Sequence, residues 1–268
     1  MCIRDSDGVI RIGFITDMSG LSADADGPGG AEAIKMAIAD FGGSVAGKKI
    51  EVLVADHQNR ADIASSRARE WLDQKGVNML IAGANSAAAL AMAKVAEEKK
   101  TPFFVVSAGA SELTNSQCTP YTVHYVYDTV SLARGTARAM LKEGNKDWFF
   151  LTVDHAFGQA LERDASAVVT ADGGTVKGRV RHPLNTADFS SFILQAQASG
   201  ATVLGLANSA SDTSNAVKAA AEFGLTPKMK IAGLLVLITD IHALGLQAAQ
   251  GMYPVSYTHL TLPTIYSV

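Results

Sequence analysis

Apolar positions along this chain switch between two periods in regular alternation. Short, mostly apolar or β-branched runs read as strands: "VIRIGFIT" (9–16), "KIEVLVAD" (49–56), "VNMLIAG" (77–83) and "TPFFVVS" (101–107). The segments between them, "GAEAIKMAIADF", "ADIASSRAREWLDQK" and "SAAALAMAKVAEEKK", have helical spacing; in the second, Ala64, Ala68, Trp71 and Leu72 share one face. Strands that are apolar throughout belong in a parallel sheet covered on both faces. A second series follows "CTPYTVHYVYD", with strands "WFFLTVD" (148–154), "GTVKGRVRH" (174–182), "ATVLGLAN" (201–208) and "MKIAGLL" (229–235). Its helices are "FGQALERDASAVVTADG", "DFSSFILQAQASG" and "SDTSNAVKAAAEFG", each ending at a glycine stop. The order predicts an α/β fold of two doubly wound lobes joined near residues 120–125.

Such sheets place ligands beyond the carboxyl ends of their strands. That rule selects Asp17–Gly20, Gly83–Ser86, Ser107–Ser111, Asp154–Phe157 and Ala207–Ser211, all carrying small or polar residues. Tyr121, His124, Tyr125 and Tyr127 alternate imperfectly and read as a core-and-hinge strand rather than a stacking platform.

A formal charge of -3 over 268 residues gives no reason to expect a nucleic-acid partner. No run approaches the roughly 20 apolar residues that span a bilayer. The two cysteines, Cys2 and Cys118, have no metal-ligand spacing around them, and no metal or cofactor is expected. The ends differ in composition from the body: "MCIRDS" and "VSYTH" (255–259) can be encoded by opposite strands of one DNA segment, that of a sequencing-library adaptor. Residues 1–6 and about 254–268 are therefore expected to be adaptor-derived, with the native signal peptide and C-terminal part lost.

"GGSVAGKK" (42–49) imitates a phosphate loop, but Lys49 replaces the required Ser or Thr and the segment runs from helix into strand. "GPGG" does not complete a dinucleotide fingerprint, because Glu32 takes the last place. The adjacent Asp154 and His155 invite an acid–base reading, yet neighbours at a strand end point in different directions. Asp154 is expected to cap the following helix, and His155 to face a ligand cleft. A doubly wound enzyme using Asp154, His155 or Cys118 stays open as an alternative, as does the sensor domain of a regulator.

The ordered set "IRIGFITDMSG", "KKIEVLVADHQNRADIASSRAREWL", "LIAGANSAAALAMAKVAEEKKTPFFVVSAGASELT", "DHAFGQALERD" and "NTADFSSFILQAQASGATVLGLAN" resembles the leucine/isoleucine/valine-binding protein family over residues 9 to about 253. The resemblance implies a type I periplasmic binding protein fold and a non-enzymatic, monomeric, extracytoplasmic receptor. Such a receptor closes two lobes on a solute and is read by the membrane permease of an ABC importer. It implies lobe 1 over 7–122, its first lobe incomplete, lobe 2 over 123–250, and a start of return to lobe 1 at 251–253. By matching positions, Asn85, Ser86, Ser107, Ala108, Gly109 and Ala110 would receive a solute carboxylate, with amides and hydroxyls at helix N-termini suited to an anion. His155 and Asn208 would contact the solute from lobe 2. Amino-acid-binding relatives present an acidic residue where this chain has Leu235 or Val236. A buried ammonium without counter-charge is disfavoured, so the expected solute is a carboxylate lacking that ammonium, an aromatic or aliphatic acid, unless Asp128 or Asp240 supplies the charge.

Overall fold

The computed structural model describes residues 8–226 and 228–254, which divide into two compact units after Val126. The first runs past the expected limit at 122 because its last strand is needed to complete its sheet. It contains β1 (Val9–Thr16), α1 (Ala23–Asp26), α2 (Pro28–Asp40), β2 (Ser44–Val45), β3 (Lys48–Asp56), α3 (Ala61–Gln74), β4 (Val77–Ala82), α4 (Ser86–Lys99), β5 (Phe103–Val105) and β6 (Thr122–His124). The strand order is β2-β3-β1-β4-β5-β6, parallel except for the antiparallel β2–β3 pair. The chain passes from β1 outward to β3 and then back across to β4, so β1 and β4 flank the point where the winding reverses. One face packs Trp71 and Leu72 of α3 and Met92 and Ala96 of α4 against Ile15, Leu80 and Phe103. Gly13 is required there, since a Cβ would lie 2.7 Å from the Trp71 ring. Each fully buried side chain such as Leu80 contributes about 1.5–3 kcal/mol of transfer free energy. On the opposite face Phe14 and Ile81 pack with Ala31 of α2, whose Pro28 suits a first helical turn.

The second unit contains α5 (Thr129–Lys142), β7 (Asp147–Val153), α6 (Ala156–Ala171), β8 (Thr175–His182), α7 (Ser190–Ala198), β9 (Val203–Ala207), α8 (Ala210–Glu222), β10 (Lys230–Gly233), α9 (Ile238–Leu244), α10 (Leu246–Ala249) and β11 (Met252–Pro254). All its strands are parallel, in the order β11-β10-β9-β7-β8, which places the reversal between β7 and β9. Along β7, Phe149 and Leu151 enter one core and Trp148 and Phe150 the other. The period of two sends alternate residues to opposite faces, and both are covered, hence the unbroken apolar run. β8, at the sheet edge, alternates exposed and half-buried positions instead.

Two elements differ from the reading of the sequence. Helix α5 has no counterpart in that reading, although Leu132, Ala133, Thr136, Ala137, Met140 and Leu141 recur at helical spacing on its buried face. Residues 251–253, expected to begin a return to the first lobe, instead lead into β11, where Met252 pairs with Ile231 at the edge of β10. Pro254 belongs to that strand; the other positions expected to be adaptor-derived lie outside the described residues.

Candidate functional site

At the carboxyl end of β1, Thr16 and Asp17 are fully buried. Asp17 holds the turn that follows, accepting from the amides of Gly20 and Ser22 at 2.8 Å each. Its Oδ2 also accepts from Asn59 Nδ2 at 2.5 Å. Asn59 Oδ1 in turn accepts from Asn85 Nδ2 at 3.1 Å, and Asn85 Oδ1 caps α4 by accepting from the Ala88 amide at 2.9 Å. This relay keys the start of α4 to the end of β1. Asn85 sits at φ 95°, a backbone conformation that asparagine tolerates better than most residues.

His57, 1% exposed, lies beneath the relay. Its Nδ1 accepts from the Asn59 amide at 3.1 Å, which leaves the proton on Nε2, 3.1 Å from the Ala84 carbonyl. Burial pushes the imidazole below its usual range, so it is neutral. Asp56 is held below the carboxylate range: burial pushes it up, but Ser19, Gln58 and Met18 donate to it and prevail.

The carboxylate of Asp26 meets three strand ends together. Its Oδ1 accepts from Thr16 Oγ1 at 2.8 Å and its Oδ2 accepts from the Ala84 amide at 2.6 Å, while the nearby Ser107 hydroxyl favours its ionised form. Burial nevertheless pushes it above the carboxylate range. A Cβ on Gly83 would lie 2.1 Å from Thr16 Oγ1 and 2.4 Å from Asp26 Oδ2, so the strand end must be glycine for Asp26 to sit there.

The first-unit residues singled out from the sequence do converge. Ser86 Oγ accepts from the Ala110 amide at 3.2 Å, and the Ala108 carbonyl accepts from His124 Nε2 at 2.8 Å. Ser86 and residues 108–110 are buried, with Asn85 and Ser107 half-buried, so part of the expected donor set is spent internally. Asn85 anchors α4. The amides of Ser86 and Ala87 have no acceptor within the helix, because they lie in its first turn.

In the second unit the expectations change more. Asp154 does not cap α6. His155 holds the N-cap position, while Asp154 is exposed, accepting from Gln159 Nε2 at 2.9 Å with Arg181 3.6 Å away. Asp154 is one residue too early to reach the first-turn amides. His155 is half-buried at the end of β7. Asn208, fully buried, donates from Nδ2 to His182 Nε2 at 3.2 Å and accepts from Thr213 Oγ1 at 2.8 Å. His182 donates from Nδ1 to the Pro183 carbonyl at 2.8 Å, and burial lowers its pKa. The geometry thus gives Asn208 an internal role. Leu235 and Val236 are core residues, 6% and 1% exposed. Asp128 caps α5, accepting from the Ser131 amide at 2.7 Å, and Asp240 accepts from the Leu237 amide at 2.7 Å, with burial raising its pKa. Asp212 receives the amides of Asn185 and Thr186, yet burial pushes it up to about 6.

Asp26, His57 and Asp212 were not singled out from the sequence, although Asp26 and His57 follow strands of the first lobe. Among the described residues, no group of three or more His, Cys, Asp or Glu side chains is placed to hold a metal, and no helix is long and apolar enough to cross a membrane.

A sequence-family model described as periplasmic binding protein matches residues 9–264. A crystal structure of a periplasmic binding protein from Burkholderia mallei superposes with a TM-score of 0.91 at 61% identity, covering 93% of this chain and 67% of that one. The solute binding protein of an ABC transporter from Rhodopseudomonas palustris BisB5, in complex with 3,4-dihydroxybenzoic acid, gives a TM-score of 0.80 at 27% identity, covering 93% and 69%. The Leu/Ile/Val-binding protein homolog 6 of Brucella abortus is 28% identical over 243 residues; the match takes in 88% of this chain but spans 61% of that relative's length.

Proposed function

Because the chain belongs to the periplasmic binding protein family, we propose that it is the extracytoplasmic solute receptor of an ABC importer. It takes a small carboxylate-bearing solute and presents it to a membrane permease. The observation that carries this reading is the start of α4. At the reversal point of the first sheet, the turn Gly83–Asn85 leads into the first turn of α4, whose Ser86 and Ala87 amides have no acceptor within the helix, and a helix N-terminus favours an anion. Two relatives support the class: one is named for branched-chain amino acids and the other holds a dihydroxybenzoic acid, both carboxylates. A receptor rather than an enzyme agrees with the histidines. His57 and His182 have both ring nitrogens engaged by backbone groups or by Asn208, and neither is poised as a base.

A thermal-shift panel on the intact protein tests this. Leucine, isoleucine and valine are compared with benzoate, 4-hydroxybenzoate and 3,4-dihydroxybenzoate, since a ligand that binds only the folded state raises the melting temperature. A saturable rise with at least one carboxylate is expected, weakened when Ala87→Pro removes one seat amide. A flat response to the whole panel would sink the reading.

A further inference from the structure

We propose that Asp26 determines solute specificity in the first unit by accepting a hydrogen bond from a donor on the solute, an ammonium or a hydroxyl, carried in addition to the carboxylate. The inference rests on the carboxylate reading above and names what else the solute must bear. Its basis is position. Asp26 reaches from the four-residue helix α1 across the ends of three neighbouring strands: Thr16 ends β1, Ala84 follows β4 and Ser107 follows β5. That is where the winding of this sheet reverses and where a doubly wound sheet receives its ligand.

An ionised carboxylate offers about four acceptor positions. Thr16 and Ala84 fill two, with Ser107 close by, leaving capacity for a further donor on a half-buried group. Those donors fix the carboxylate in place, so another can be met without further ordering cost. The same contacts close off an alternative. The Ala84 amide is committed to Asp26, and a solute carboxylate placed on it would lie against a like charge. The solute carboxylate is therefore left to the amides of Ser86 and Ala87, two and three residues along from Ala84. A donor elsewhere on the same small molecule is then within reach of Asp26.

The other acidic side chains considered for this role are committed elsewhere. Asp17 is fully buried under its own turn and Asn59, while Asp128 and Asp240 satisfy helix-start amides.

The test uses matched pairs that differ by the donor alone: leucine against 4-methylpentanoate, and 3,4-dihydroxybenzoate against benzoate. Calorimetric affinities are measured on the intact protein, on Asp26→Asn and on Asp26→Ala, with melting temperatures to establish that each variant is folded. Wild type is expected to prefer the donor-bearing member of one pair by about 10- to 100-fold, the range of a hydrogen bond to a charged group. Asp26→Asn, which keeps the shape and loses the charge, should erase most of that preference while the donor-free member binds no worse. The assignment is overturned if wild type shows no preference within either pair, or if a folded Asp26→Asn keeps the wild-type preference. Should none of the four probes bind wild type, the carboxylate reading falls and the inference with it. Should Asp26→Ala fail to fold, Asp26→Asn decides.

Discussion

The end of β1 in the first unit gathers Asp17, Asp26, Asp56 and His57 within a few residues of a sheet reversal, whereas the end of β9 in the second closes over Asn208, His182 and Thr213. Both places are built by the same topology, a strand flanked on each side with a glycine at the crowded point. Their chemistry differs. In the first, a carboxylate is kept half-buried although burial raises its pKa, so part of the folding free energy is spent on a charge aimed at the strand ends. In the second, neutral groups satisfy one another completely and stabilise the unit. The first strand end therefore keeps a carboxylate at a cost, and the second is closed by a neutral network.

The comparison can be broken most sharply at the two glycines. A Cβ on Gly158 would lie 2.3 Å from the Val153 carbonyl and 2.9 Å from that of Ala207, both backbone. Gly158→Ala is expected to cost about 3 kcal/mol in urea unfolding. Gly83→Ala meets Thr16 Oγ1, Asp26 Oδ2 and, at 2.6 Å, the fixed Thr16 Cβ, so it should destabilise as well and also lower solute affinity. Equal stability losses with no change in affinity would contradict the distinction between scaffold and site.

Asn208→Ala leaves His182 Nε2 and Thr213 Oγ1 buried without their partner, and a loss of about 2–3 kcal/mol is expected. If Asn208 touched solute instead, affinity would fall with little change in the denaturation midpoint.

The pH dependence of stability separates the groups by sign. Asp212, folded near pH 6 against an unfolded value near 4, binds more proton when folded; its contribution is fully present below pH 4 and is lost as pH rises through 6. His57 and His182 are lowered by burial, so the unfolded state binds more proton and their effect runs the other way, with stability lost as pH falls below about 6.5. Denaturation midpoints from pH 4 to 7 should therefore show Asp212→Asn gaining on wild type as pH rises. A parallel pair of curves would mean that Asp212 titrates at its ordinary value.

The smallest effects concern the two aspartates on which helix capping turns. Asp128→Ala removes a real cap and should cost about 1 kcal/mol, recovered by Asp128→Ser. Asp154→Ala removes only an exposed pairing with Arg181 and Gln159 and should stay within about 0.5 kcal/mol. A cost at Asp154 as large as at Asp128 would restore its role as a cap.

Much of the fold could be read locally. Strands buried on both faces, such as β7 and β9, announce themselves as continuous apolar runs, and α3 shows its buried stripe at the spacing of Ala64, Ala68, Trp71 and Leu72. Helix α5 carries the same kind of stripe in Leu132, Ala133, Thr136, Ala137, Met140 and Leu141, so it too was legible locally. The strand-end rule selected loops of the first unit whose residues the fold brings together, but not Asp26. It lies in a connection after β1, and its partners Thr16 and Ala84 are 10 and 58 residues away. Asn208, matched to a solute contact by resemblance, is fully buried and bonded to His182, 26 residues earlier, a pairing that sequence distance conceals.

By itself the sequence determined where chain segments are extended, where they are helical, and that they alternate in two series. Those properties follow from local hydropathic period and from the backbone preferences of neighbouring residues, which need no knowledge of what lies across the sheet. Only the tertiary structure decided which strand stands beside which, and hence which side chains share a strand end. Hydrogen bonds and desolvation act over a few ångströms whatever the separation along the chain. Whether Asp26, Asp128 or Asp154 becomes a half-buried acceptor, a cap or a surface charge was therefore decided by the groups the fold brings beside each of them.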